Sequence, residues 1–144
     1  MKLVDANVLL YAVDSLAPNH VAARTWLDAS LNGDEETGFA WIVLLAFLRI
    51  STKASLYENP LTAAQAFGVV ERWLSAKTAV LVEPATTHLV TLRKLVEESG
   101  TAGNLTSDAH LAALAIENHA TVVTFDADFS RFAGVQIARP MSPP

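Results

Sequence analysis

The sequence predicts an α/β fold: a three-layer α/β/α sandwich around a short, mainly parallel central sheet. Three observations carry this. Short apolar runs of strand character alternate with longer stretches of helical spacing along the whole chain. The run Thr121-Val122-Val123-Thr124 is β-branched throughout and reads as a buried strand. No internal repeat, linker or low-complexity segment interrupts the alternation, so residues 1–140 read as one domain and 141–144 as a short tail.

Lys2 to Val4 reads as the first strand, with Asp5 at its carboxyl end and a helix from Ala6 to Val13 entered directly from it. A carboxylate there has two readings, a helix N-cap or a metal ligand, and taken alone Asp5 favours the cap. Asp14 to Pro18 is a turn, and Asn19 to Leu31 a helix with Val21, Ala22, Trp26, Leu27 and Leu31 near helical spacing. Glu35 and Glu36 lie in a solvated turn. Thr37 to Ala40 reads as a strand. Trp41 to Ser51 is too long for a typical strand, and its Leu, Ala and Arg content marks a buried helix. Thr62 caps a helix to about Lys77, Val80 to Val82 forms a third strand, and Thr87 to Ser99 a helix stopped by Gly100. After a loop over residues 101–104, the alanine-rich helix from Asp108 to Asn118 is capped by Asn104, Thr106 or Ser107 and packs close to the sheet. The β-branched strand follows, then a short helix around Phe129 to Phe132 and a last strand from Val135 to Ile137. Pro140, Pro143 and Pro144 mark a frayed tail.

Composition bounds the function. Of 144 residues, 51% are hydrophobic, and the mean hydropathy of +0.31 is high for a domain of this size. No apolar run reaches the ~18 residues needed to cross a bilayer: the longest, Phe39 to Leu48, is closed by Arg49. The N-terminus lacks a signal-peptide pattern. The expectation is a cytoplasmic domain with no membrane association, whose apolar surface is hidden in a homodimer or against a protein partner. With no cysteine, disulfides, thiolate metal sites and a cysteine nucleophile are excluded. A net charge of −5 argues against nucleic-acid binding, but leaving Asp5, Asp108, Asp126 and Asp128 out of the count gives −1.

Those acids form one group. Asp5 and Asp126 each follow a short apolar strand, and Asp108 starts the helix just before the Asp126 strand. In a parallel sheet the three converge at the carboxyl rim, where open α/β sheets bind ligands. Crowded carboxylates repel one another, and a hard divalent cation resolves the conflict. Oxygen donors suit Mg²⁺ or Mn²⁺ rather than zinc. The chemistry this points to is metal-assisted hydrolysis of a phosphodiester.

Four segments in this order resemble the PIN domain: Leu3-Val4-Asp5-Ala6-Asn7-Val8-Leu9-Leu10-Tyr11, the stretch from Trp41 to Thr52, Asp108-Ala109-His110-Leu111-Ala112-Ala113-Leu114-Ala115, and Thr124-Phe125-Asp126-Ala127-Asp128-Phe129. The chain specifically resembles the VapC toxins of bacterial toxin–antitoxin pairs, over nearly its whole length. The resemblance implies a Mg²⁺- or Mn²⁺-dependent endoribonuclease acting on a small set of structured RNAs, a dimer held inactive by a VapB-type antitoxin. It implies Asp5 and Asp108 as metal ligands, Asp126 completing the cluster, and Asp128 orienting a metal-bound water. Asn7 and Thr124 take the place of polar residues supporting the ligands.

One position departs from that pattern. Where the family carries a glutamate in the Leu-Leu-Glu-Phe-Leu-Arg segment, this chain has Ala46. Alanine can neither hold a metal nor position water. Three explanations compete: a Glu-to-Ala replacement introduced to silence a toxin, a naturally degenerate domain that only binds antitoxin or RNA, or compensation by another acid, Glu35 and Glu36 being nearest in sequence. The intact surrounding motif favours the first.

Arg49 and Arg131 are the best candidates for phosphate contact, although surface solvation is slightly the preferred account of each. His20, His88, His110 and His119 have no ligand spacing among themselves and read as surface or cap residues. Trp26, Trp41 and Trp73 read as core or interface. A phosphoryl-accepting domain of the receiver or haloacid dehalogenase kind also places Asp-x-Asp after a strand, but needs a lysine near a later strand, and none follows Lys94.

Overall fold

The computed structural model describes residues 1–100 and 103–141. The tail expected at residues 142–144 and part of the loop expected at 101–104 lie outside them. Five three-residue strands form the sheet: β1 (Lys2–Val4), β2 (Thr37–Phe39), β3 (Ala79–Leu81), β4 (Thr121–Val123) and β5 (Gln136–Ala138). Six helices connect them: α1 (Ala6–Val13), α2 (His20–Leu31), α3 (Trp41–Ser51), α4 (Ala63–Leu74), α5 (His88–Ser99) and α6 (Thr106–Glu117). Single 3₁₀ turns cover Gly103–Leu105 and Ala127–Arg131.

The strand order is β3-β2-β1-β4-β5, and every pairing is parallel rather than mainly so. From β1 the chain steps outward to β2 and β3, then returns to the other side of β1 as β4. The order therefore reverses between β1 and β4, and this switch point opens a crevice at the carboxyl ends of those two strands. Helices α1 to α4 pack on one another, and α5 packs on α6, as right-handed crossovers on opposite sides of the switch require.

Leu3, Val4, Val122 and Val123 are fully buried in the central strands, as expected of a sheet covered on both faces. Phe47 meets Trp73 edge-on at 4.8 Å between ring centroids, and Phe39 stacks on Trp73 at 6.5 Å, tying β2 and α3 to α4. Ala109, Ala112, Ala113 and Ala115 are buried and let α6 approach the sheet closely. Thr62 caps α4 through a reciprocal box with Gln65. Gly100 ends α5 in the left-handed conformation at φ 71°.

Other boundaries moved. Helix α4 stops at Leu74, short of Lys77, and β3 starts one residue early. Helix α6 begins at Thr106, so Thr106 and Ser107 are helical, and Leu105 takes the cap position without a side-chain hydrogen bond. The side chain of Asn104 lies outside the described part. Strand β5 runs one residue further than expected, and Pro140, expected to fray, is buried.

Candidate active site at the carboxyl rim

The ladder registers align Val4 with Val123 and Val123 with Ala138. The next residue on each of these three neighbouring strands is therefore Asp5, Thr124 and Arg139. Backbone bonds from Asp5 N to Val123 O and from Thr124 N to Ala138 O, each 3.0 Å, extend the ladder to this level. The row runs from acid through hydroxyl to cation across the switch point.

Asp5 is the helix cap that its position suggested, and its second oxygen is engaged as well. As N-cap of α1, its Oδ1 accepts from Ala6 N at 2.7 Å. Its Oδ2 accepts from Asn7 Nδ2 at 2.9 Å and from Thr124 Oγ1 at 2.7 Å. Burial nevertheless raises its pKa, and the charge of Asp126 adds to this; the bonds from Thr124, Ala6 and Asn7 pull the other way.

Thr124 is the hub. Besides donating to Asp5, its hydroxyl oxygen accepts from Asp126 N at 2.9 Å and Asn7 Nδ2 at 3.1 Å. Asn7 Oδ1 accepts from Phe125 N at 3.1 Å. Asn7 and Thr124 thus lock the end of β1 to the acid-bearing turn after β4. In that turn Asp126 Oδ1 accepts from Asp128 N at 2.8 Å, an Asx arrangement that starts the 3₁₀ turn. Arg131 Nη2 donates to Asp128 Oδ1 at 3.3 Å.

Asp108, in the first turn of half-buried α6, completes the group. Burial first, and then the negative charges of Asp5, Asp126 and Asp128, raise its carboxyl to about 6 against the opposing charge of Arg131. Asp108 therefore feels the charges of the other three predicted acids, and Asp5 that of Asp126. Among the described residues, however, no three His, Asp or Glu side chains are grouped as ligands around one ion.

The remaining expected residues separate. Ala46 is half-buried in the second turn of α3. Arg49 is exposed on α3 and makes no ion pair among the described residues. Glu35 cannot compensate for Ala46: it accepts from the N-terminal ammonium at 3.1 Å, and Lys2 N donates to Glu36 O at 2.9 Å. Both acids thus lie at the amino end of β1, across the sheet from the rim.

Two groupings escaped the sequence reading. Arg139 stands on the rim, its guanidinium 5.1 Å from the centre of the Phe125 ring and its Nη1 donating to Phe125 O at 3.2 Å. Away from the rim, His88 and His110 are not surface or cap residues. His88 Nδ1 lies 2.7 Å from Glu117 Oε1, and His88 Nε2 lies 2.7 Å from His110 Nδ1, binding α5 to α6. With Glu117 ionised and both rings neutral, His110 donates to His88 and His88 donates to Glu117.

A separate cleft of about 860 Å³ opens between α1, α2 and α4, lined by Arg24, Asp28, Arg72, Trp73 and Lys77 among others, and contains none of the rim acids.

The PIN domain signature matches residues 2–135. Ribonuclease VapC37 of Mycobacterium tuberculosis (strain ATCC 25618 / H37Rv) is 48% identical over 140 residues, covering 97% of each chain. Ribonuclease VapC31 of the same organism is 41% identical over 140 residues, covering 97% of this chain and 99% of its own. Among solved structures, VapBC2 from Rickettsia felis bound to a DNA fragment from its promoter has a chain of the same fold, with a TM-score of 0.70 at 18% identity, over 96% of this chain and 97% of that one.

Proposed function

The chain belongs to the PIN-domain family, and from that premise we propose that it is a VapC-type toxin of a toxin–antitoxin pair, an endoribonuclease built on one domain over residues 1–140. The observation that carries the reading is the placing of Asp5, Asp126 and Asp128 near enough to Asp108 that, with burial the larger cause, their charges help raise its carboxyl to about 6. The ribonuclease names of relatives up to 48% identical support it.

The donor set fits a divalent cation. Every donor is a carboxylate oxygen, and like charges brought together at the cost of raised pKa values are what a hard cation relieves. Mg²⁺ keeps several of its waters and takes only one or two carboxylates directly, so three preassembled ligands are not required. Asp5, Asp108 and Asp126 are the residues to hold Mg²⁺, or Mn²⁺ in its place. When bound, the ion supplies Lewis acidity, activating water and offsetting charge on the phosphodiester.

The chain's own residues do the rest. Thr124 and Asn7 fix the rotamer of Asp5, and Ala6 N keeps its second oxygen oriented. Asp126 is held as the cap of its own turn. Asp128 stands beyond it to orient the attacking water, with Arg131 limiting the negative charge there. Ala46 offers no carboxylate from α3, so the chain as it stands is a weak nuclease.

The partner inferred is a VapB-type antitoxin, which keeps the toxin silent, and the substrate is a structured RNA in the cytoplasm. Among the described residues no helix is long and apolar enough to cross a membrane. Trp41 and Leu45, one turn apart on α3, and Leu89 and Val90 on α5 are exposed, and these apolar faces suit a homodimer.

The test is RNA cleavage in Mn²⁺ by Ala46→Glu beside the unaltered chain. A gain of at least tenfold is expected, and Asp108→Asn in the Ala46→Glu background removes it. Equal activity of the two chains overturns the role of position 46. Ala46 itself favours one other reading, a degenerate PIN domain that binds antitoxin or RNA without cutting. That reading requires no cleavage by Ala46→Glu and no Mn²⁺ binding in calorimetry.

A further inference from the structure

A nuclease whose rim carries four acids must still attract a polyanion. The net charge of −5 makes this harder, so any cation fixed at the rim has a large effect on where RNA lies. Two arginines stand there. Arg131 is partly spent, its guanidinium held 3.3 Å from Asp128 Oδ1. Arg139 has no carboxylate partner among the described residues. It is exposed and level with Asp5 and Thr124 in the strand register.

Arg139 is also held in place. Its guanidinium lies over the Phe125 ring at 5.1 Å, and one of its five N–H groups is used on Phe125 O. Tyr11 meets Phe125 edge-on, with ring centroids 5.3 Å apart and planes inclined at 61°. The backbone of Phe125 is fixed in turn by Asn7, which holds Asp5. A cation stacked on an aromatic ring, with most of its planar donor fork left over, is preorganised for a phosphate. The exposed guanidinium plane itself gives a base a surface to stack against, with the half-buried Phe125–Tyr11 pair supporting it from behind.

We propose that Arg139, Phe125 and Tyr11 form a nucleotide-binding subsite on the β4–β5 side of the rim, which grips the backbone of a single-stranded segment of the structured RNA next to the phosphate presented to the acids. This subsite rests on the ribonuclease reading above. It assigns the RNA a direction across the rim, entering over β5 and passing over Thr124 to Asp5. Arg139 acts as a binding residue and not through the acids, since its contacts run to Phe125 rather than to any carboxylate.

The experiment measures binding of a short fluorescein-labelled single-stranded RNA by anisotropy across a salt series, with the chain as it stands. Arg139→Ala is expected to weaken binding about tenfold and to flatten the logarithmic salt slope by roughly 0.7. Arg139→Lys keeps the slope but recovers only part of the affinity, because a point charge lacks the fork and the stacking plane. Phe125→Leu weakens binding with the slope unchanged. Arg24→Ala, on α2 away from the rim, changes neither. Thermal unfolding of each variant separates loss of fold from loss of binding, and Arg139→Lys carries the test if Arg139→Ala does not fold. The subsite is overturned if the unaltered chain binds RNA and Arg139→Ala binds with the same affinity and slope, or if Arg139→Lys behaves in every respect like the parent. If the unaltered chain binds no RNA and Ala46→Glu cuts none, the ribonuclease reading itself fails, and the subsite with it.

Discussion

Thr124 Oγ1 donates to Asp5 Oδ2 across 2.7 Å, joining two residues 119 positions apart in the chain. The same oxygen receives Asp126 N and Asn7 Nδ2, and Thr124 is almost fully buried. Replacement by the near-isosteric valine leaves Asp5 short of a donor and two donors short of an acceptor. Thr124→Val is expected to cost about 1–3 kcal/mol, the usual penalty for unpaired buried polar groups. Urea unfolding reads it directly. Thr124→Ser, which restores the hydroxyl, is expected to stay within about 1 kcal/mol of the parent. Equal stability of the valine and serine variants would contradict the hub assignment.

Asp108 gives the rim a pH signature. Its folded pKa of about 6 lies above its ordinary 3.8, so the fold favours the protonated acid. The stability it contributes is complete below about pH 4 and is lost as pH rises through about 6. Without divalent ions, Asp108→Asn is therefore expected to unfold at a higher temperature than the parent at pH 7.5 and at a similar one at pH 4. Millimolar Mg²⁺ is expected to raise the parent's unfolding temperature at pH 7.5 and to raise that of Asp108→Asn much less. A parent insensitive to both pH and Mg²⁺ in this window would refute the coupling.

The His110–His88–Glu117 chain acts with the opposite sign. Burial lowers the His110 pKa below 6.5, His88 lowers it further, and Glu117 opposes both. The neutral ring is the form the fold favours, so its contribution is present above pH 6.5 and is lost as pH falls through the folded value. His110→Gln is expected to flatten the acid limb of the stability profile. Glu117→Gln removes the charge that holds His88 and also weakens the bond from Ala85 N to Glu117 Oε2, 3.2 Å in the parent. It is expected to cost about 1–3 kcal/mol at neutral pH. Chemical denaturation from pH 5 to 8 distinguishes the two variants.

Gly38 offers a test of packing alone. A Cβ added there meets Val82 Cγ2 at 2.9 Å, Leu3 Cδ1 at 3.2 Å and Met1 Sδ at 3.3 Å. These are side chains in a packed interior, so some give is available, but overpacking of this kind costs about 1–3 kcal/mol. Gly38→Ala is expected to lose that much in urea unfolding. If it unfolds at the same denaturant concentration as the parent, the interior around β2 is looser than its contacts indicate.

The acids were legible in the sequence because each stands where an apolar run breaks into charge. Asp5 and Asp126 follow strands whose identity their own residues declare, and Asp108 opens a helix with an unmistakable alanine face. Helices α1 and α3 agree residue for residue with their expected ranges. Arg139 was hidden by a single residue: with the last strand ended at Ile137, it fell two residues beyond the strand, whereas the strand ends at Ala138 and places it on the rim. The His88–His110 contact was hidden for another reason. The two are 22 residues apart and meet only because α5 lies against α6, a packing that neither helix's own periodicity encodes. Glu35 and Glu36 are near Ala46 in sequence but lie across the sheet from the rim, since in a parallel sheet the residues entering a strand and those leaving it occupy opposite edges.

The distance in sequence between Asp5 and Thr124 also bears on how the protein is made. Strand β1 is synthesised more than a hundred residues before β4, yet the two are neighbours, and the segment after β4 carries the hydroxyl and the acids that meet Asp5. A nascent chain on the ribosome holds Asp5 for most of its elongation with nothing to set against it. The rim closes only when β4 and the turn after it have emerged, and contacts so remote in sequence also form late in folding. A product truncated before β4 therefore has no assembled rim, and the site exists only in chains translated past that strand.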